Sequence, residues 1–128
     1  MASGIDLNNS NVLVCGASGG LGQLIAGELM SRGATVMAVG RDSDRLSAVA
    51  ATDRMVADLR TPDACAAVVA WASAERTIDV LVNAVGVVAF GNVVDSGVDA
   101  MEELFLTNTF VPIMLSRAAL PAMSQDGV

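Results

Sequence analysis

The chain has 128 residues, 53% hydrophobic and 16% charged, which suffices for one domain with a real core and excludes a disordered segment. Its net charge of −7 argues against nucleic acid and anionic membrane surfaces as partners. All seven basic residues are arginine; without lysine, histidine or tyrosine, most of the usual proton-transfer side chains are missing.

In chain order, the opening "MASGIDLNNSN" has neither a basic stretch nor a long apolar run, so it does not read as a secretory signal. Val12 to Cys15 is a short β-branched run and predicts a first strand. Leu21 to Arg32 reads as a helix, with Gly22, Ile25, Ala26 and Leu29 on one face and Gly33 just past its end. Ala34 to Val39 predicts a second strand, and Asp42 the cap of a short helix. Arg54 to Asp58 predicts strand three. A helix then starts with Thr61 as cap, Pro62 at the first position and Asp63 in the first turn. Ile78 to Asn83 predicts strand four. After a loop, one long helix is expected from about Val98 to Met123, kinked near Pro112. Its apolar residues, Leu104 to Leu106 and Phe110 to Leu115 among them, point all round the axis, so it wants burial on every side. No segment holds the ~18 uninterrupted apolar residues of a membrane span.

Strands alternating with helices imply parallel pairing in a doubly wound α/β sheet covered on both faces. The outer edge of the fourth strand is expected to be unpaired. Cys15 and Cys65 lack metal-ligand spacing and read as buried, reduced thiols of a cytoplasmic protein; no metal site is expected.

Between the first strand and helix stands "CGASGGLG". Gly16 sits where the strand must turn. Gly20 lets a backbone approach a phosphate, and Gly22 permits close packing of helix on sheet. Unpaired amides at the helix start, with the positive end of its dipole, suit a pyrophosphate. A glycine turn serving only tight packing is the other reading.

The spacing Gly-x-x-x-Gly-x-Gly at Gly16, Gly20 and Gly22 resembles the "TGxxxGxG" motif of the short-chain dehydrogenase/reductase family, with Cys15 in place of threonine. Three further segments resemble the family in order: Asp58 and Leu59 after strand three, "NAVG" from Asn83 to Gly86 after strand four, and Asn108 in the last helix. The resemblance implies a Rossmann-like NAD(P)-binding domain over residues 1–128, with its four strands in the order 3-2-1-4. Ser18, Gly19, Gly20, Leu21 and Gly22 would hold the cofactor phosphates, and Asp58 and Leu59 the adenine. Asn83, Ala84, Val85 and Gly86 would line the ribose side, and Asn108 would anchor a water linked to the catalytic lysine. On residues alone Asn83 also reads as a turn former, and Asn108 as a polar residue on a solvated face, though Phe105, Leu106 and Phe110 surround it.

At the end of strand two, Gly40 stands where NAD-preferring members carry an acid, and Arg41 follows where NADP-preferring members often carry a base. A guanidinium binds a phosphate in two-point fashion, so NADP(H) is favoured over NAD(H). Asp42 either neutralises Arg41 or only caps the helix. The family's catalytic serine, tyrosine and lysine have no counterpart here, and the chain stops where the fifth strand is expected. Glu102, Glu103, Asp95 and Asp99 read as acids of helix starts and loops. The chain is therefore expected to be the cofactor-binding half of a carbonyl/alcohol oxidoreductase, incomplete at its C-terminus and inactive alone. It would form a homo-oligomer through the Val98 to Met123 helix. A non-catalytic dinucleotide-binding module, or a half-domain completed by another subunit, is the alternative.

Overall fold

In the computed structural model, which describes residues 4–128, one parallel sheet runs in the order β3-β2-β1-β4, the order that the motif resemblance implies. Residues 1–3 of the opening stretch lie outside the described residues. The strands are β1 (Asn11–Cys15), β2 (Thr35–Gly40), β3 (Asp53–Val56) and β4 (Val80–Asn83). Cys15 pairs with Val39 on one side and Asn83 on the other, so the carboxyl ends of the central strands finish level. This is the doubly wound, Rossmann-like arrangement, and β1 and β4 flank its topological switch point.

The two central strands are buried because side chains alternate between two covered faces. Leu13, Cys15, Met37 and Val39 pack on one side with Val68, Ile78, Val111 and Leu115. Val12, Val14, Val36 and Ala38 pack on the other with Ala26, Leu29, Leu46 and Val49. Each Val, Leu, Ile or Met among them contributes about 1.5–3 kcal/mol when fully buried. The edge strands are less covered: β3 alternates, and Val56 is 53% exposed.

Helices α1 (Gly20–Ser31), α2 (Ser43–Ser47) and α3 (Pro62–Ala72) follow the first three strands. Their ends obey local chemistry. Gly33, at φ +83°, closes the end of α1 with its amide on the Met30 carbonyl. Asp42 caps α2 through the Arg45 amide (2.9 Å), and Thr61 caps α3 through the Ala64 amide (3.2 Å).

The expected single long helix is four pieces: α4 (Val98–Phe105), a π-helical turn (Leu106–Phe110), α5 (Val111–Ala119) and a 3-10 turn (Leu120–Ala122). The irregularity lies upstream of Pro112, because proline offers no N–H to the carbonyl four residues earlier, that of Asn108. Thr107, Val111, Leu115 and Ala119 form a buried stripe at four-residue spacing, while Phe105, Phe110, Ile113 and Leu120 stay exposed. The Val98–Ala122 stretch is long and apolar enough, by length and composition, to cross a membrane. In the fold its buried stripe packs against α3 and the sheet.

One expectation is corrected at the sheet edge. The outer side of β4 is not bare: Ile78 bridges Met123, the Ser124 amide bonds the Ile78 carbonyl (2.8 Å), and the Leu81 amide bonds the Val128 carbonyl (2.7 Å). The turn-like "SQDGV" folds back because the apolar 3-10 turn before it delivers the chain to that edge.

Candidate functional site

A cavity of about 520 Å³ opens at the carboxyl edge of the sheet, where the loops after all four strands converge. Its floor is the turn after β1. Gly16 has φ +81°, and the amides of Gly16 and Ala17 both bond the Val39 carbonyl at 2.9 Å. A Cβ on Gly16 would lie 2.6 Å from the Ala84 carbonyl carbon and 2.7 Å from the Val85 nitrogen. A Cβ on Gly22 would collide with the Gly16 carbonyl and lie 2.9 Å from the Ala17 Cα. These two glycines let the turn, α1 and the loop after β4 meet as bare backbone. Gly20 differs, since nothing lies within 4 Å of the Cβ it lacks.

The amides of Ser18, Gly20, Leu21 and Gly22 find no acceptor among the described residues, whereas Gly19 bonds Gly16 and Gln23 bonds Gly19. They are the orphan donors of a twelve-residue helix whose cap, Gly19, has no side chain. An anion is the complementary guest.

The rim carries charge. Arg41, Arg45 and Arg60 line the cavity with Asp42 and Asp58, a local excess of positive charge in an acidic chain. The Asp42 carboxylate caps α2, which answers the question the sequence left open. Arg60 bonds both oxygens of Asp58 at 2.6–3.0 Å and reaches Glu103 on α4 at 3.2 Å. The Arg60 guanidinium holds Asp58 below the usual carboxylate value, against a smaller opposing effect of burial, and the pair raises Arg60 in turn. Glu103 is therefore more than a helix-start acid: it ties α4 to the loop after β3.

Asn108 sits in the π-helical turn and clamps the loop after β4. Its Oδ1 accepts from the Val87 amide (2.8 Å), and its Nδ2 donates to the Val87 carbonyl (2.9 Å). Both ends of the amide are thus committed to one backbone position. The Ala84 amide bonds the Cys15 carbonyl (2.8 Å), fixing the other end of that loop.

Nine of the residues singled out by sequence line the cavity: Gly16, Ser18, Gly19, Arg41, Asp58, Leu59, Ala84, Val85 and Gly86. Five do not. Gly20 and Leu21 present only main-chain amides nearby, Gly22 is packed beneath the turn, Asn83 is an exposed strand end, and Asn108 acts through Val87. Arg45, Arg60 and Thr107 line it without having been singled out, although the four-residue interval from Arg41 to Arg45 is visible in the sequence. Cys15 and Cys65, far apart in sequence, share one core cluster. Burial pushes the Cys15 thiol up to about 12, with Cys65 adding to the rise, so neither thiol is a nucleophile at neutral pH. Among the described residues no cluster of His, Cys, Asp and Glu could hold a metal ion.

A family model described as "short chain dehydrogenase" matches residues 10–128. Dehydrogenase/reductase SDR family member 7B of Danio rerio is 32% identical over 137 residues, covering 95% of this chain and 44% of that protein. Ketoacyl reductase HetN of Nostoc sp. is 32% identical over 130 residues, covering 94% of this chain and 45% of that protein. A solved short-chain dehydrogenase/reductase of Serratia marcescens superposes with a TM-score of 0.88 at 26% identity, over 96% of this chain and 54% of that one. The chain spans about half the length of the proteins it matches.

Proposed function

This chain belongs to the short-chain dehydrogenase/reductase family, and from that premise we propose that it is the cofactor-binding part of an NADP(H)-dependent oxidoreductase interconverting a small carbonyl and an alcohol. The observation that carries this reading is the set of unpaired amides at Ser18, Gly20, Leu21 and Gly22, at the start of a helix whose preceding turn, Gly16, Ser18 and Gly19, lines a cavity with an arginine rim. The residues fit a dinucleotide. Gly16 and Gly22 keep the floor free of side chains, and the space beyond Gly20 is open.

In this reading the α1 amides hold the pyrophosphate and Arg41 holds the 2′-phosphate of the adenosine ribose. Asp58 and Leu59 border the adenine, with Asp58 held in place by Arg60. Ala84 to Gly86 border the second ribose, their loop fixed by Asn108. When bound, the nicotinamide supplies or takes the hydride. Proton transfer needs the family's tyrosine and lysine, which this sequence lacks, so the chain by itself binds dinucleotide without turnover. Where a lysine and its water are supplied, Asn108 is the residue of this chain that would anchor that water.

The exposed Phe105, Phe110 and Ile113 support homo-oligomer formation through the residue 98–123 helix. The acidic charge supports a reading without nucleic-acid or membrane partners, and the two buried thiols support a cytoplasmic setting. The test is a titration with NADPH and with NADH, repeated on Arg41→Ala. NADPH should bind more tightly, and the substitution should narrow the gap. Equal losses for both cofactors would overturn the assignment of Arg41.

A further inference from the structure

Two guanidinium groups stand beyond the end of β2. Arg41 follows Gly40, and Arg45 comes four residues later in α2; both line the cavity that Ser18 also lines. Neither takes part in an ion pair among the described residues. The acids that line the cavity with them are engaged elsewhere: Asp42 accepts from the Arg45 backbone amide at 2.9 Å, and both oxygens of Asp58 accept from Arg60.

The backbone of Arg45 is held in place, while its side chain is exposed. Its neighbour Leu46 is 1% exposed and lies 3.4 Å from where a Gly40 Cβ would be, so α2 is held down over the end of β2. The Ser18 hydroxyl lies 2.5 Å from that same point and has no hydrogen-bond partner among the described residues. Gly40 thus gives the hydroxyl its room beside the two arginines.

We propose that Arg45 is a second guanidinium for the 2′-phosphate, acting with Arg41 and the Ser18 hydroxyl. This rests on the NADP(H) reading and narrows it. Charge decides the matter. A phosphate monoester carries more than one negative charge near neutral pH. Arg41 and Asp42 alone leave the rim neutral. Adding Arg45 makes it positive and brings a second set of donors to the three phosphate oxygens. A 2′-hydroxyl carries no charge, so Arg45 discriminates between the cofactors and adds little to general affinity.

The test uses the whole chain and two probes that differ only in the phosphate: adenosine 2′,5′-bisphosphate and 5′-AMP, each titrated calorimetrically. Arg45→Ala should weaken the bisphosphate roughly tenfold, the scale of one charge-assisted contact, and leave 5′-AMP unchanged. Arg45→Lys should recover part of the loss, and the loss should shrink as salt is raised. If Arg41→Ala lowers the bisphosphate preference while Arg45→Ala does not, the NADP(H) reading stands and this inference falls. If the unmodified chain binds both probes equally, the NADP(H) reading itself falls and takes the inference with it.

Discussion

The glycines of the α1 turn divide into two kinds, and a pair of alanine substitutions separates them. In Gly22→Ala the new methyl meets the Gly16 carbonyl, with the Gly16 carbon at 2.8 Å and the Ala17 Cα at 2.9 Å. All three contacts are backbone, so no rotamer change relieves them. Overpacking of this kind costs about 1–3 kcal/mol, and rigid neighbours place it near the upper end. For a domain of this length, about 3 kcal/mol lowers the melting temperature by roughly 10 °C. In Gly20→Ala the methyl has nothing within 4 Å. Stability should hold or rise by a few tenths of a kcal/mol, because alanine surrenders less backbone entropy than glycine. Yet the methyl sits among the unpaired amides, so dinucleotide affinity should fall at least about tenfold, or 1.4 kcal/mol. Thermal melts followed by NADPH titration read both effects. A Gly22→Ala protein that melts at the original temperature refutes the packing reasoning. A Gly20→Ala protein with undiminished affinity refutes the phosphate reasoning and leaves the packing intact.

Asn108→Leu removes two hydrogen bonds to Val87 and should cost about 1–2 kcal/mol, with faster amide exchange at Val87 as the specific sign; unchanged exchange there would count against the clamp. Asp58 has its folded pKa held below the ordinary 3.8 by Arg60. Its stabilisation is therefore complete above that value and disappears as pH falls through the lower folded one. Urea midpoints measured between pH 5 and 2 should show this loss, and Asp58→Asn should flatten it; the effect is small and salt-sensitive, because the pair is partly exposed. Cys15 and Cys65 should resist a maleimide at pH 8 in the native protein and react after unfolding, since both are buried and the Cys15 thiol is raised to about 12. Rapid native labelling at either position would overturn that assignment.

The parts of this fold that are local in origin are legible in the sequence. Apolar runs mark the strands, Asp42 and Thr61 mark helix starts, Gly33 marks an end, and Gly16, Gly20 and Gly22 mark the turn after β1. Parallel pairing follows from these elements through general rules of connection, and the strand order from the resemblance that their motifs carry. What escapes is contact between distant segments. Arg60 and Glu103 are 43 positions apart, and no periodicity links them. Cys15 and Cys65 become neighbours only because β1 and α3 pack in one layer. Ile78 reads as part of a strand, but its partner is Met123, brought there by the far end of α5. Pro112 does announce an irregularity, yet its effect falls on the carbonyl of Asn108, upstream of the position where a kink is naturally sought.

That displacement has a consequence for the site. Glu103 and Asn108 each hold a loop of the cavity, one through Arg60 and the other through Val87. In an uninterrupted α-helix two residues five apart lie about 140° from each other, too far round to serve one opening. The π-helical turn at Leu106–Phe110 closes its hydrogen bonds at five residues, as in the Val111 amide to the Leu106 carbonyl, so residues at that interval come nearer to alignment. The helix thereby turns Asn108 toward the loop after β4 while Glu103 still reaches the loop after β3. Thr107, next to Asn108, bonds Glu103 at 3.4 Å and buries its own side chain against the cavity wall. A helix made irregular just before Pro112 therefore reaches both loops of the cavity, the one after β3 through Arg60 and the one after β4 through Val87.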